Sequence, residues 1–234
     1  MMKTKKTILT ALSLSFGMLI FGQDLPKPSP SGKVQQTVGL NKISVEYSRP
    51  SAKGRVIFGD LVAYDANWRL GANASTKLTT SEQMMFGKNV LEPGTYAMYA
   101  IVSKDMTFTL VFSRDLEKSG ADDYDAKDEI FRIKTKATEN SFVETFTIDI
   151  NNITANSGSI VISWEKMKVE IPFTLDTDKT AQKNIDAAIA EGKELDKVYY
   201  RTASYYFDKN DIKSATKYVD LSLNVSKMHS NLFL

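Results

Sequence analysis

The sequence predicts a mainly β protein, an antiparallel β-sandwich or barrel-like domain followed by a short α-helical C-terminal region. From about residue 33 to residue 175, apolar side chains recur at every second position in several short runs with turn residues between them. After residue 175 the apolar spacing changes to i, i+3, i+4, which is typical of amphipathic helices. With 234 residues, 42% hydrophobic and 25% charged, the chain has the composition of a globular protein with a buried core.

The first 22 residues have the pattern of a secretory signal peptide. Lys3, Lys5 and Lys6 precede an apolar stretch over residues 8–21, and the small Gly22 ends it. This stretch is too short and too polar for a full membrane span. We therefore expect export with cleavage, no membrane span in the cleaved product, and an extended Pro-rich leader over residues 23–32. Because the chain has no cysteine to carry a lipid, the expected location is periplasmic or secreted without an anchor.

The β-rich domain is expected over residues 33–175. Each alternating run should place its apolar residues against a core and the residues between them toward water. The apolar sets of these runs are Met106, Phe108, Leu110 and Phe112; Phe146, Ile148 and Ile150; Ile160, Ile162 and Trp164; and Val169, Ile171, Phe173 and Leu175. Residues 96–102 are apolar at both even and odd positions, which predicts a central strand covered on both faces. Lys104 and Asp105 are expected to form the turn of a hairpin.

The α-helical tail is expected over residues 176–234. Thr177 or Asp178 can cap a first helix, and Gly192 is well placed to end it. A second helix carries apolar residues from Leu195 to Tyr206, and Asn210 or Asp211 can cap a third. The second and third helices resemble one tetratricopeptide repeat. The residues at that motif's packing positions are Tyr199, Ala203, Tyr206, Ala215 and Val219.

Charge and composition exclude several function classes. Without the three lysines of the signal segment, the 30 basic residues fall to 27 against 28 acidic ones, a net charge of −1. This balance lacks the basic excess that nucleic-acid binding needs. The absence of cysteine and the single histidine, His229, argue against thiol chemistry, His-based metal sites and a buried His base. We expect no metal site and no cofactor.

The most informative stretch is residues 48–76, which we call the 48–76 segment. It combines cationic, aromatic, acidic and amide side chains with turn-forming Pro and Gly residues. Guanidinium groups bind carboxylates or phosphates in bidentate fashion, and an indole can stack on a sugar or a cation. The candidate ligand-binding residues are Arg49, Lys53, Arg55, Asp60, Trp68, Arg69 and Asn73.

A structural interpretation of the same segment stands beside the functional one. Trp68 can serve as a core aromatic, and Arg69 can pair with Asp60 or Asp65. Gly54 and Gly71 can serve only to relieve backbone strain.

The 48–76 segment, SRPSAKGRVIFGDLVAYDANWRLGANAST, resembles the signature of a secreted bacterial family known as domain of unknown function 2911. Residues 35–39 (QQTVG), 91–96 (LEPGTY), 143–148 (VETFTI) and 163–165 (SWE) are similar to it as well. The resemblance covers about residues 30–175 and implies a signal peptide and a helical, repeat-like tail. It implies no activity, and it places any site near Trp68, Arg69, Gly71, Ala72 and Asn73.

Three functions follow as expectations. The first is a non-catalytic module that binds an anionic or sugar-like small molecule through the 48–76 segment and a protein partner through the helical tail. The second is an enzyme acting on cell-envelope carbohydrate through a carboxylate pair, with Glu46, Asp60, Glu82 and Glu144 as candidates. The third is a purely structural envelope protein. A carboxylate beside Arg55 and Trp68 in a deep cleft would favour the enzyme.

Overall fold

The computed structural model of the chain describes residues 25–117 and 124–231, with side chains up to residue 227. The described residues form two antiparallel β-sheets followed by three α-helices, which confirms the mainly β fold class with a helical C-terminal region. The expected signal peptide, residues 1–22, lies outside the described residues, and so does the side chain of His229.

The described strands fall into two sheets. In chain order they are β1 (Ser31–Val38), β2 (Asn41–Ser48), β3 (Asn67–Trp68), β4 (Thr76–Thr80), β5 (Met84–Phe86), β6 (Asn89–Leu91), β7 (Gly94–Val102), β8 (Thr107–Ser113), β9 (Glu129–Lys136), β10 (Thr138–Asn151) and β11 (Ser157–Thr174). Sheet 1 has the order β1-β2-β4-β7-β8-β9, with β3 paired to β7, and sheet 2 has the order β10-β11-β5-β6. The last two residues of the expected leader, 31 and 32, belong to the fold, because β1 begins at Ser31.

One hydrophobic core connects the two sheets, because alternate side chains of their strands pack together. The predicted inward faces of β10 and β11 are confirmed: Phe146, Ile148, Ile160 and Phe173, among others, are at most 2% exposed. β7 is central, lying between β4 and β8, as its two-sided apolar pattern predicted. The turn between β7 and β8 contains Lys104 and Asp105, also as predicted.

The prediction that alternate residues of β8 face water was wrong. Thr109 and Val111 are both buried. Val111 belongs to a second, smaller apolar cluster on the outer face of β7 and β8. Val111 packs there with Tyr99 and Ala97, and Leu116 and Tyr124 cover them. Met106, expected inside, is 39% exposed, because it lies in the hairpin turn with a φ of 65°.

Three helices follow the sheets: α1 (Thr177–Glu191), α2 (Leu195–Asp208) and α3 (Ile212–Asn231). α1 is capped by Asp176, whose carboxylate accepts from the Lys179 N–H, and not by Thr177 or Asp178. Thr177 has another role, because its hydroxyl donates to the Ala155 carbonyl at 2.7 Å and ties α1 to sheet 2. Gly192 ends α1 in the left-handed conformation, as predicted.

The α2–α3 hairpin is held by aromatic side chains. The rings of Tyr206 and Tyr218 stack with centroids 5.6 Å apart, and Asp211 caps α3 by accepting from the Ser214 N–H at 3.1 Å. In the part of the chain that the structure describes, no helix is long and apolar enough to cross a membrane.

Candidate functional site

The 48–76 segment bridges the two sheets. After β2 ends, the Pro50 carbonyl accepts from the Phe146 N–H at 2.8 Å, and the Ala52 N–H donates to the Glu144 carbonyl at 2.8 Å. These bonds dock the segment on β10 of sheet 2. The segment then returns to sheet 1 as β3, which pairs with β7.

Trp68 lies at the centre of an aromatic cluster. Its ring stacks on Trp164 at a centroid distance of 5.8 Å and meets Phe146 and Phe58 edge-on at 5.2 and 6.2 Å. The indole N–H donates to the Gly71 carbonyl at 3.1 Å. Only 8% of Trp68 is exposed. Because Trp164 and Phe146 already pack against its ring, the structure favours the interpretation of Trp68 as a core aromatic over that of a face for stacking on a sugar.

A cavity of about 470 Å³ lies beside this aromatic cluster, and we call it the Trp68 cavity. Four of the seven candidate residues line it, namely Arg55, Trp68, Arg69 and Asn73. Its remaining walls include Asn67, Trp164 and several small side chains. No aspartate or glutamate is among the described residues that line it.

The two arginines of the cavity are held by neutral oxygens. Arg55 donates from Nε to the Ala52 carbonyl at 3.0 Å and from Nη2 to the Ser51 carbonyl at 2.7 Å. Arg69 donates from Nη1 to the Asn73 carbonyl at 2.7 Å. Neither guanidinium forms an ion pair with a described residue. Carbonyls therefore orient the two guanidinium groups without neutralising their positive charges.

Asn73 ties the rim of the cavity to the start of the fold. Its side-chain amide donates to the Ser29 carbonyl at 3.1 Å and to the Ser48 hydroxyl at 3.2 Å. The residue has a φ of 58°, a left-handed conformation that asparagine tolerates better than most residues.

The other three candidates do not line the cavity. Arg49 is a clamp between the sheets, because its guanidinium donates to the Phe146 carbonyl at 3.2 Å and to the Thr147 hydroxyl at 3.0 Å. Lys53 and Asp60 are exposed. The structural pairing of Arg69 with Asp60 or Asp65 does not form.

Sequence reasoning missed Asn67 as part of the site. Asn67 lines the Trp68 cavity, and its side-chain carbonyl oxygen is buried with no hydrogen-bond partner among the described residues. A buried acceptor without a donor costs about 1–3 kcal/mol. No local signal distinguished Asn67, since a polar residue in a turn-rich loop is ordinary.

The carboxylates proposed for an enzyme do not meet at this cavity. Glu46 pairs with Lys33 at 2.7 Å, Glu144 accepts from the Lys53 N–H at 2.9 Å, and Asp60 is exposed. Glu82 lies outside the cavity and beside α1, where its carboxylate is 3.5 Å from the Thr180 hydroxyl. The described residues also contain no group of three or more His, Cys, Asp or Glu that could hold a metal ion.

A comparison with protein-family models finds one match, described as "Protein of unknown function (DUF2911)", over residues 29–173. This range contains every residue that lines the Trp68 cavity, from Ser29 to Trp164. Neither the curated proteins nor the solved structures include a match.

Proposed function

Because the chain belongs to the DUF2911 family, whose function is unknown, we propose a function from its cavity: a non-catalytic module that binds a small anionic, sugar-like ligand. The observation that carries this proposal is the pair of arginines, Arg55 and Arg69, that line the Trp68 cavity without a described acidic partner. A carboxylate or phosphate supplies the negative charge that these guanidinium groups lack.

The neutral groups of the cavity favour a hydroxylated anion such as a sugar acid. Asn67 contributes a buried acceptor without a partner, which a ligand hydroxyl can satisfy. The ligand is recognised by hydrogen bonds and charge and not by stacking, because the Trp68 ring is packed inside the aromatic cluster. The cavity volume of about 470 Å³ lies within the usual range of small-molecule sites.

The proposed setting is the periplasm or the space outside the cell. This part of the proposal rests on the signal-peptide pattern of residues 1–22 and on the absence of cysteine. The helical tail is proposed to be tetratricopeptide-like, because α2 and α3 form an antiparallel hairpin in which Ala203 and Ala215 are buried.

A thermal-shift titration of the purified protein tests the ligand class. Glucuronate is compared with glucose, its neutral counterpart, and with inorganic phosphate. Glucuronate is expected to raise the unfolding temperature, and a ligand at a hundred times its Kd adds about 2.7 kcal/mol to the free energy of unfolding. Glucose is expected to have little effect, because it brings no charge for the arginines.

Arginine variants locate the binding site. Arg55→Ala and Arg69→Ala should each weaken glucuronate binding about tenfold, since each removes a charge-assisted hydrogen-bond donor. Lys53→Ala is the matched control, because Lys53 is an exposed cation of the same segment outside the cavity. Equal binding by all three variants, or no response to any anion, would refute the proposal.

A further inference from the structure

The outer face of the α2–α3 hairpin is an exposed apolar surface. Its large side chains are Tyr200 and Phe207, both 65% exposed, together with Ile212, Leu223 and Val219 at 52, 51 and 41%. The spacing of these residues places them along one stripe of each helix. A groove of about 440 Å³ runs between the two stripes, with the small residues Ala203 and Ala215 in its lining. Exposed apolar surfaces of this kind mark sites of interaction with another macromolecule.

We propose that this surface binds a second copy of the same chain, with the two α2 helices antiparallel across a twofold axis. The argument is the order of charges beside the stripe. Arg201 directly follows Tyr200 in the sequence, and Asp208 directly follows Phe207. Both charged residues therefore lie on the face of α2 that adjoins the apolar stripe. Both charged side chains are exposed, and neither forms an ion pair within the described part of the chain.

An antiparallel register satisfies the apolar and the charged residues together. A pairing centred between Ala203 and Ser204 places Tyr200 against Phe207 of the second copy. The register that places Arg201 against Asp208 of the second copy has its centre only one residue further along α2. Both contacts therefore form in nearly the same arrangement.

The twofold axis makes every contact occur twice, so one attractive Arg–Asp pair becomes two. The exposed residue at the centre of the pairing is Ser204, whose small side chain allows two helices to approach closely. A parallel arrangement would instead place Arg201 beside Arg201 and Asp208 beside Asp208, which is repulsive.

Sedimentation equilibrium of the purified protein over a concentration series tests the proposal. The mass is expected to double with rising concentration. Phe207→Glu should abolish this association, because it places a charge in the apolar stripe. Arg201→Glu and Asp208→Arg should each weaken it about tenfold, since each creates two like-charge contacts. The double variant Arg201→Glu/Asp208→Arg should restore it, because the swapped pair is again complementary.

Lys217→Glu is the matched control, because it reverses a charge on α3 at a residue whose ammonium lies over the Tyr218 ring. It should leave the association unchanged, and circular dichroism confirms that each variant retains its helices. If the protein has the mass of a monomer at all concentrations up to about 1 mM, the proposal is overturned. The surface would then be assigned to binding a different protein. Failure of the double variant to restore association would overturn the antiparallel register.

Discussion

At the scale of single residues, the turn after Trp68 depends on backbone conformations that few residues adopt. Leu70, Gly71 and Asn73 all have positive φ angles, of 54, 139 and 58°. At Gly71 a Cβ atom would lie 2.8 Å from the Ser48 carbonyl oxygen, closer than real Cβ contacts occur. This close approach keeps the end of β2 against the turn that carries Arg69 and Asn73 into the cavity.

Gly71→Ala is therefore predicted to lower the free energy of unfolding by about 2 kcal/mol or more, from backbone strain together with the clash on Ser48. Gly54→Ala is the matched control, because Gly54 also has a positive φ of 71° but has nothing within 4 Å of the added Cβ. It should cost only about 1 kcal/mol. Urea denaturation of both variants measures the difference. Equal costs would show that the approach to Ser48 is not what requires glycine.

The candidate site was only partly predictable at this scale. The residue types in the 48–76 segment indicated where to look, because cationic and aromatic side chains among turn residues are unusual. Which side chains line the cavity depends on the path of the chain between the sheets. Arg49 comes only six residues before Arg55, yet it faces β10 and holds the two sheets together. Asn67 enters the site only because β3 pairs with β7.

At the scale of secondary-structure elements, the alternation of apolar and polar residues predicted the positions of the strands. It predicted less accurately which faces of those strands are exposed. In β11 the buried parity changes from even positions at Ile162 and Trp164 to odd positions at Val169 and Ile171. Two separate strands were a natural explanation for that change. The structure shows one continuous strand whose register with β10 shifts on both sides of the Val143–Glu165 pair. Glu165 has a φ of 52°, and the buried parity of β11 changes at this irregularity. Val111 in β8 is buried for a different reason, because Leu116 and Tyr124, which lie outside the strands, cover the outer face on which it packs.

The hairpin between β7 and β8 gives a prediction about acid stability. Hydrogen bonds from the Lys136 ammonium and from the Thr107 N–H and hydroxyl lower the pKa of Asp105 from 3.8 to about 2. Because the folded-state pKa lies below the unfolded value, Asp105 stabilises the fold above about pH 4. This contribution is lost as the pH falls from about 4 to about 2.

Asp105→Asn is predicted to lower the unfolding temperature at pH 7 and to reduce its fall between pH 4 and pH 2. Thermal unfolding measured at several pH values tests this, and Lys136→Met should have a similar effect because it removes the main cause of the shift. Asp60→Asn serves as a control, since Asp60 is exposed and makes no described hydrogen bond or ion pair. Parallel pH profiles of Asp105→Asn and the unmodified protein would contradict the prediction.

At the scale of the whole molecule, the two parts of the chain bury very different side chains. The sandwich encloses large aromatic residues such as Trp164, Phe108 and Phe146, which are at most 1% exposed. In the described part of the tail the buried residues are small: Ala181, Thr202, Ala203 and Ala215. Since apolar burial provides most of the stabilisation, the tail is held by much less free energy than the sandwich.

The tail should therefore open without unfolding the sandwich. Amide protons of α2 and α3 are predicted to exchange at least about tenfold faster than those of β7 and β8, as a local opening requires. Hydrogen exchange at high dilution measures this, and a second measurement at high concentration adds the effect of association. If the α2–α3 surface pairs with a second copy, protection should rise in α2 and α3 but not in β7, because only the helices lose exposed apolar area. Equal protection of helices and strands at high dilution would instead show that the tail and the sandwich unfold as one cooperative unit.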